Sequence, residues 1–304
     1  MSSPLVSIVI PTRDRPQLLP YAVKSALTQT QPDIEVIVVD DGSLKPVELS
    51  PDPRLKIINL KTSRGGAAAR NVGTEMARGK WITYLDDDDC LLPQMVEVSL
   101  DALTKTTHPS PVGVISGIEV VNLNRDVLIQ RIPPPIRIKG CHFSLENLEP
   151  GKSYTTKQTL VVEREVINKI GGWDESFRSR VHTELFLRLN LVCTIIGLPI
   201  VTYQLLRDQQ TRVSRDPNLR QESFYRLIEK HQDIFKAHPK MFSEFVYQQA
   251  WTSYQMGQEK AALTHFLWAL ELQPTHILGL SMRTCLSRLI QPLTVPALTR
   301  SRLS

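Results

Sequence analysis

Four consecutive aspartates, Asp86, Asp87, Asp88 and Asp89, stand at the end of an apolar run. Neighbouring carboxylates repel: two unit charges about 4 Å apart cost about 1 kcal/mol even in water, and more against protein. A hard divalent cation offsets that repulsion, and Mg2+ typically takes one or two carboxylates together with the phosphates of a substrate. A solvated acidic turn is the plainer reading of such a cluster taken alone. A second acidic pair, Asp40 and Asp41, closes another apolar run just before Gly42. A carboxylate there can accept from a base N–H or a ribose hydroxyl, or can do no more than shape an Asp-Gly turn. Third, Arg64, Gly65 and Gly66 precede Ala67-Ala68-Ala69-Arg70-Asn71. Glycines ahead of a helix let backbone N–H groups approach an anion, and Arg64 can reach a base or a phosphate. The segment lacks the Gly-Lys-Ser/Thr ending of a phosphate-binding P-loop and is not GxGxxG.

The segments that must position these groups alternate. Residues 5–10 form a short apolar run of the kind expected for a strand covered on both faces. After a turn at Pro11-Thr12-Arg13-Asp14, apolar residues from Leu19 to Leu27 recur at helical spacing. Residues 34–39 and 55–60 read as further strands. The alanine-rich segment reads as a helix to about Arg78, with Gly79 as its stop, and residues 80–85 read as a fourth strand running into the aspartates. This order predicts an α/β fold with a doubly wound, mostly parallel sheet and right-handed crossovers. Ligands of such sheets sit outside the carboxyl ends of the strands, where all three polar clusters fall.

Beyond residue 112 the pattern loosens. A strand is expected over 112–121, a proline-rich loop able to cover a site over 131–152, a short helix over 163–170, a helix over 182–196 and a strand near 200–205. From about residue 218 the pattern is helical only. Ala250, Gly257, Ala262, Phe266, Ala269 and Pro274 have the spacing of one tetratricopeptide-like helical pair. The expected division is a catalytic domain over 1–215 and a helical extension over 216–304, with a frayed tail from about 283.

The chain has 304 residues, 41% hydrophobic and 22% charged, with a formal net charge of +5. That is ample for a core without disulfides, and the mild basicity suits anionic partners without selecting one. No dense basic run with interleaved aromatics points to nucleic acid. Cys90, Cys141, Cys193 and Cys285 show no metal or redox spacing. No run approaches the roughly 20 apolar residues of a spanning helix, and the amino terminus lacks a secretory pattern. A cytoplasmic protein is expected, with peripheral membrane or protein contact open for the C-terminal helices.

Taken in order, Val6-Ser-Ile-Val-Ile-Pro-Thr12, Val38-Val-Asp-Asp-Gly-Ser43, Arg64 through Gly73, Leu85-Asp-Asp-Asp-Asp89, Gly171-Gly-Trp-Asp-Glu175 and Glu184-Leu-Phe-Leu-Arg-Leu189 resemble glycosyltransferase family 2 over about residues 5–205. The resemblance implies the type A nucleotide-diphospho-sugar transferase fold and an inverting, metal-dependent transfer from a nucleoside-diphosphate sugar, most often a UDP-sugar, to an acceptor hydroxyl. Pro11, Thr12 and Arg13 would line the nucleotide pocket. Asp41, with Asp40, would hold the base, and Arg64 would lie beside it. Asp86, Asp87 and Asp88 would contact ribose and a Mn2+ or Mg2+ that bridges the diphosphate, Asp86 and Asp88 being the metal ligands. The Gly-Gly-Trp-Asp-Glu segment would border the acceptor.

One departure stands out. The family commonly carries a Glu-Asp pair before the Leu-Arg-Leu stretch, its aspartate serving as general base. Here that pair is Val181-His182, and Glu184 follows. Histidine titrates near pH 6.5 and can be a base; Glu184 is the other candidate. Residues two apart on a helix point about 200° apart, so one of the two at most faces the acceptor. Two other classes stay open: a nucleotidyltransferase-like enzyme, marked by pyrophosphate release, and a nucleotide-binding scaffold, favoured by the missing aspartate at position 182.

Overall fold

The computed structural model describes residues 3–141, 149–207 and 216–290, with side chains to 282. Residues 142–148 of the expected covering loop and the tail beyond 290 lie outside the described residues. In chain order the elements are β1 (Val6–Thr12), α1 (Leu19–Leu27), β2 (Ile34–Asp40), β3 (Leu55–Asn59), α2 (Gly66–Met76), β4 (Trp81–Tyr84), β5 (Cys90–Leu91), α3 (Met95–Lys105), β6 (Val112–Val121), β7 (Val127–Arg131), β8 (Ile136–Arg137), β9 (Val161–Glu163), α4 (Arg164–Lys169), α5 (Val181–Val192), β10 (Thr194–Leu206), α6 (Pro217–Lys230), α7 (Gln232–Ala237), α8 (Pro239–Gln255), α9 (Glu259–Leu272) and α10 (Pro274–Ile290).

Among the described residues one sheet runs β3-β2-β1-β4-β9-β6-β10-β5, with β7 against β6 and β8 against β10. Its first half is parallel: β1 lies between β2 and β4, and β3 lies outside β2. The short β9 enters antiparallel between β4 and β6, and β10 is parallel to β6. The apolar strands follow from burial on both faces. Val6, Ile8 and Ile10 of β1, with Val36 and Val38 of β2, face α1 and α3. Val9, Ile37 and Val39 face α2, α4 and α5.

Small residues let α2 press onto the sheet: a β-carbon at Gly73 would come within 2.3 Å of Val9. Two boundaries differ from the sequence reading. The helix α2 ends at Met76, and Gly79 does not terminate it through a left-handed turn; a β-carbon there would meet the Ser7 backbone nitrogen at 2.7 Å. The segment expected as helix over 182–196 stops at Val192, because Thr194, Ile195 and Ile196 pair with β6.

The chain divides into two compact units, residues 1–230 and 231–304. The change to helix near 218 precedes that division, since α6 packs in the first unit: Phe224 is buried, and Ser223 accepts a hydrogen bond from the Ser179 backbone. In the second unit Gly257, at φ +74°, turns the chain from α8 into α9. Ala250, Ala262 and Ala269 are buried there, and Phe266 meets Tyr247. No described helix is long and apolar enough to cross a membrane.

Candidate active site

The four aspartates leave the end of β4 in a tight turn, and the turn sorts them. One carboxylate oxygen each from Asp86, Asp88 and Asp89 lie within 4.8 Å of one another. An all-oxygen donor set of this kind fits a hard cation such as Mg2+ or Mn2+. Asp89 is also a fastener: Tyr203 of β10 donates to it at 2.8 Å and the Leu206 backbone at 2.9 Å. Asp87 is not among the three. It accepts from Thr12 at 2.7 Å and from Arg15 at 3.0 Å, and Arg15 also reaches Asp88 at 2.8 Å. Burial, with Asp88 and Asp86 beside it, pushes the Asp87 carboxyl up to about 6 against the pull of Arg15 and Thr12.

Three loops close the side of the site at β1 and β2. Asp40 ends β2 and bonds the backbone and hydroxyl of Ser43, so it shapes its own turn. Asp41 is buried and accepts from Ser63 and from the backbone N–H groups of Arg64 and Gly65 at 2.7–2.8 Å. It therefore fixes the loop that leads into α2. Arg13 donates to the same Ser63 at 3.0 Å, and Pro11 is buried within β1. Arg64 is half exposed and pairs with Glu175 at 3.1 Å.

The start of α2 is tied to the Gly171–Glu175 turn. Asn71 exchanges two 2.8 Å hydrogen bonds with the Trp173 backbone and donates to Glu175. The Trp173 ring packs edge-on against Tyr84 at 4.9 Å and His182 at 5.1 Å, and Arg70 lies over its face at 5.0 Å. Arg70 in turn bonds Asp86. A chain of contacts through Trp173 and Arg70 thus joins His182 to Asp86. Burial, with Arg70 nearby, pushes its imidazole down to about 3, against the opposing pull of Asp86. At neutral pH the ring is uncharged.

Glu184 faces elsewhere. It is 1% exposed, pairs with both sides of the Arg188 fork, and accepts from Lys230 at 2.7 Å. Lys230 also bonds Asp174 at 2.6 Å, and Arg188 donates to the Ile170 carbonyl. The structure thus separates the two candidate bases, as their spacing on α5 requires.

Arg15, Arg70, Trp173 and Tyr203 belong to this constellation although sequence reasoning gave them no individual role. Arg70 had a legible signal, since a charged residue within a buried run of alanines needs a partner. The Tyr203–Asp89 contact had none, because it joins segments far apart in the chain.

Comparisons with known proteins bear on the family and the fold. Residues 7–170 match the family described as Glycosyl transferase family 2. An uncharacterized glycosyltransferase of Haemophilus influenzae is 29% identical over 187 residues, covering 61% of this chain and 62% of that protein. The chain thus spans about three-fifths of that relative's length. The putative colanic acid biosynthesis glycosyl transferase WcaA of Escherichia coli K12 is 38% identical over 105 residues, 33% of this chain and 38% of that one. In fold, the chain is similar to residues 1–349 of TarS from S. aureus, solved with UDP-GlcNAc. The TM-score is 0.61 at 14% identity, covering 90% of this chain and 82% of that one.

Proposed function

Because the chain belongs to glycosyl transferase family 2, we propose that it transfers a sugar from a UDP-sugar to an acceptor hydroxyl with inversion at the anomeric carbon. The observation that carries this reading is the carboxylate cluster at the end of β4, joined through Arg70 and Trp173 to His182. Thr12, Pro11 and Arg13 line the nucleotide pocket, and Arg64 borders it. Asp41, with Asp40, shapes the loops that receive the base and ribose. Asp86 and Asp88 would hold a divalent cation, Mn2+ or Mg2+, which when bound would supply positive charge for the departing diphosphate.

His182 is the base in this reading. The acceptor oxygen forms its bond to the anomeric carbon, the bond from that carbon to the diphosphate breaks, and the hydroxyl proton passes to a ring nitrogen of His182. The uncharged ring is the proton-accepting form; burial, Arg70 and Lys157 oppose the imidazolium that results, and Asp86 favours it. Glu184, engaged by two cations, positions α5 instead. WcaA, named for colanic acid biosynthesis, makes a growing polysaccharide the acceptor class to try first.

The test is thermal stability with a panel of nucleoside diphosphates, each with and without Mn2+. A ligand specific to the folded state adds about 2.7 kcal/mol at a hundred times its Kd. UDP is expected to raise the melting temperature only with Mn2+, and Asp88→Ala to abolish the rise. Release of UDP in the presence of acceptor would then separate transfer from nucleotidyl chemistry, which releases pyrophosphate. No shift with any diphosphate would sink the reading.

A further inference from the structure

Arginines occupy the aspartate run from two sides. Arg70 bonds Asp86, and one nitrogen of Arg15 bridges Asp87 at 3.0 Å and Asp88 at 2.8 Å. Arg15 stands in the turn between β1 and α1, its side chain about a quarter exposed. A guanidinium does not lose its proton in a protein, so it can release Asp88 only by moving. Its second partner makes such a movement local. Asp87 is held independently by Thr12 and is not among the three grouped carboxylates, so Arg15 can leave Asp88 and keep Asp87 as an anchor.

A cation bound at Asp88 would meet the Arg15 charge on the same carboxylate, where two positive charges repel. We propose that Arg15 and a divalent cation compete for Asp88, so that the cation binds as the guanidinium swings off that carboxylate and keeps Asp87. That a divalent cation binds here rests on the reading above.

Mn2+ binding to the full chain, followed by the electron paramagnetic resonance signal of free Mn2+, tests this. Arg15→Met should bind Mn2+ several-fold more tightly than the wild type, whereas Arg15→Lys, which keeps the charge, should bind it close to the wild type. Arg15→Gln is the second charge-free variant should Arg15→Met fold poorly. Mn2+ affinity that is unchanged or weaker in the charge-free variants would overturn the competition and leave the metal reading standing; no Mn2+ binding to any of these chains would overturn both.

Discussion

His182 and Glu184 sit two residues apart, and their surroundings assign them opposite kinds of importance. Glu184 is buried against Arg188 and Lys230. Removing its charge takes the carboxylate from the Arg188 guanidinium, while Lys230 keeps Asp174, and breaking a buried pair typically costs about 3–5 kcal/mol. Glu184→Gln should therefore lose stability in urea melts, with turnover falling in proportion to the folded fraction. His182→Gln should do the reverse. It should melt near the wild type at neutral pH and lose roughly 10²- to 10⁴-fold in kcat, the usual worth of a positioned general base. Acid separates the two further. The folded imidazole titrates at about 3 and the unfolded one near 6.5. A depressed value means a contribution present above pH 6.5 and lost as the pH falls from there towards 3, because only the unfolded chain takes up the proton. By pH 5 that share amounts to about 1–2 kcal/mol. Denaturant melts at pH 7 and pH 5 should show a loss in the wild type that is smaller in His182→Gln.

At the scale of elements, the turn at Gly171–Glu175 links α2, α5 and the aspartate run. Gly172 has φ +69°, and a β-carbon there would lie 2.6 Å from the Asn71 side-chain oxygen. Gly172→Ala therefore meets both backbone strain and the loss of the Asn71–Trp173 hydrogen bonds, and about 2–3 kcal/mol is expected in urea melts. The UDP and Mn2+ shift should also weaken, because Trp173 carries Arg70 and through it Asp86. How legible such elements are depends on how local their causes are. The strands β1, β2 and β4 declare themselves because burial on both faces demands a continuous apolar run ending in polar residues. The insertion of the three-residue β9 between β4 and β6 leaves no periodic signal, and the early start of β10 is decided by pairing with β6. The aspartates were visible as a group, but which of them turns towards Thr12 depends on the four-residue turn that the Asp89 N–H closes on the Asp86 carbonyl.

For the whole molecule, the chain divides between Lys230 and His231. Every residue given a role in the site lies in the first unit. A chain ending at Lys230 should keep the UDP and Mn2+ melting shift within a few degrees of the full chain; loss of that shift with the fold intact by circular dichroism would show that the second unit completes the site. The resemblance in the sequence reached only to about residue 205, and α6 lies beyond it. Its membership of the first unit rests on Phe224, Ser223 and Lys230 finding partners that no local pattern announces.

Lys230 has one more consequence. It is the last residue of the first unit, and its ammonium joins Asp174 to Glu184. The peptide bond that leads into the second unit is therefore one side chain away from the turn that carries Trp173. Unwinding the last turn of α6 would therefore withdraw one shared cation from two carboxylates at once, one on the turn that carries Trp173 and one on α5.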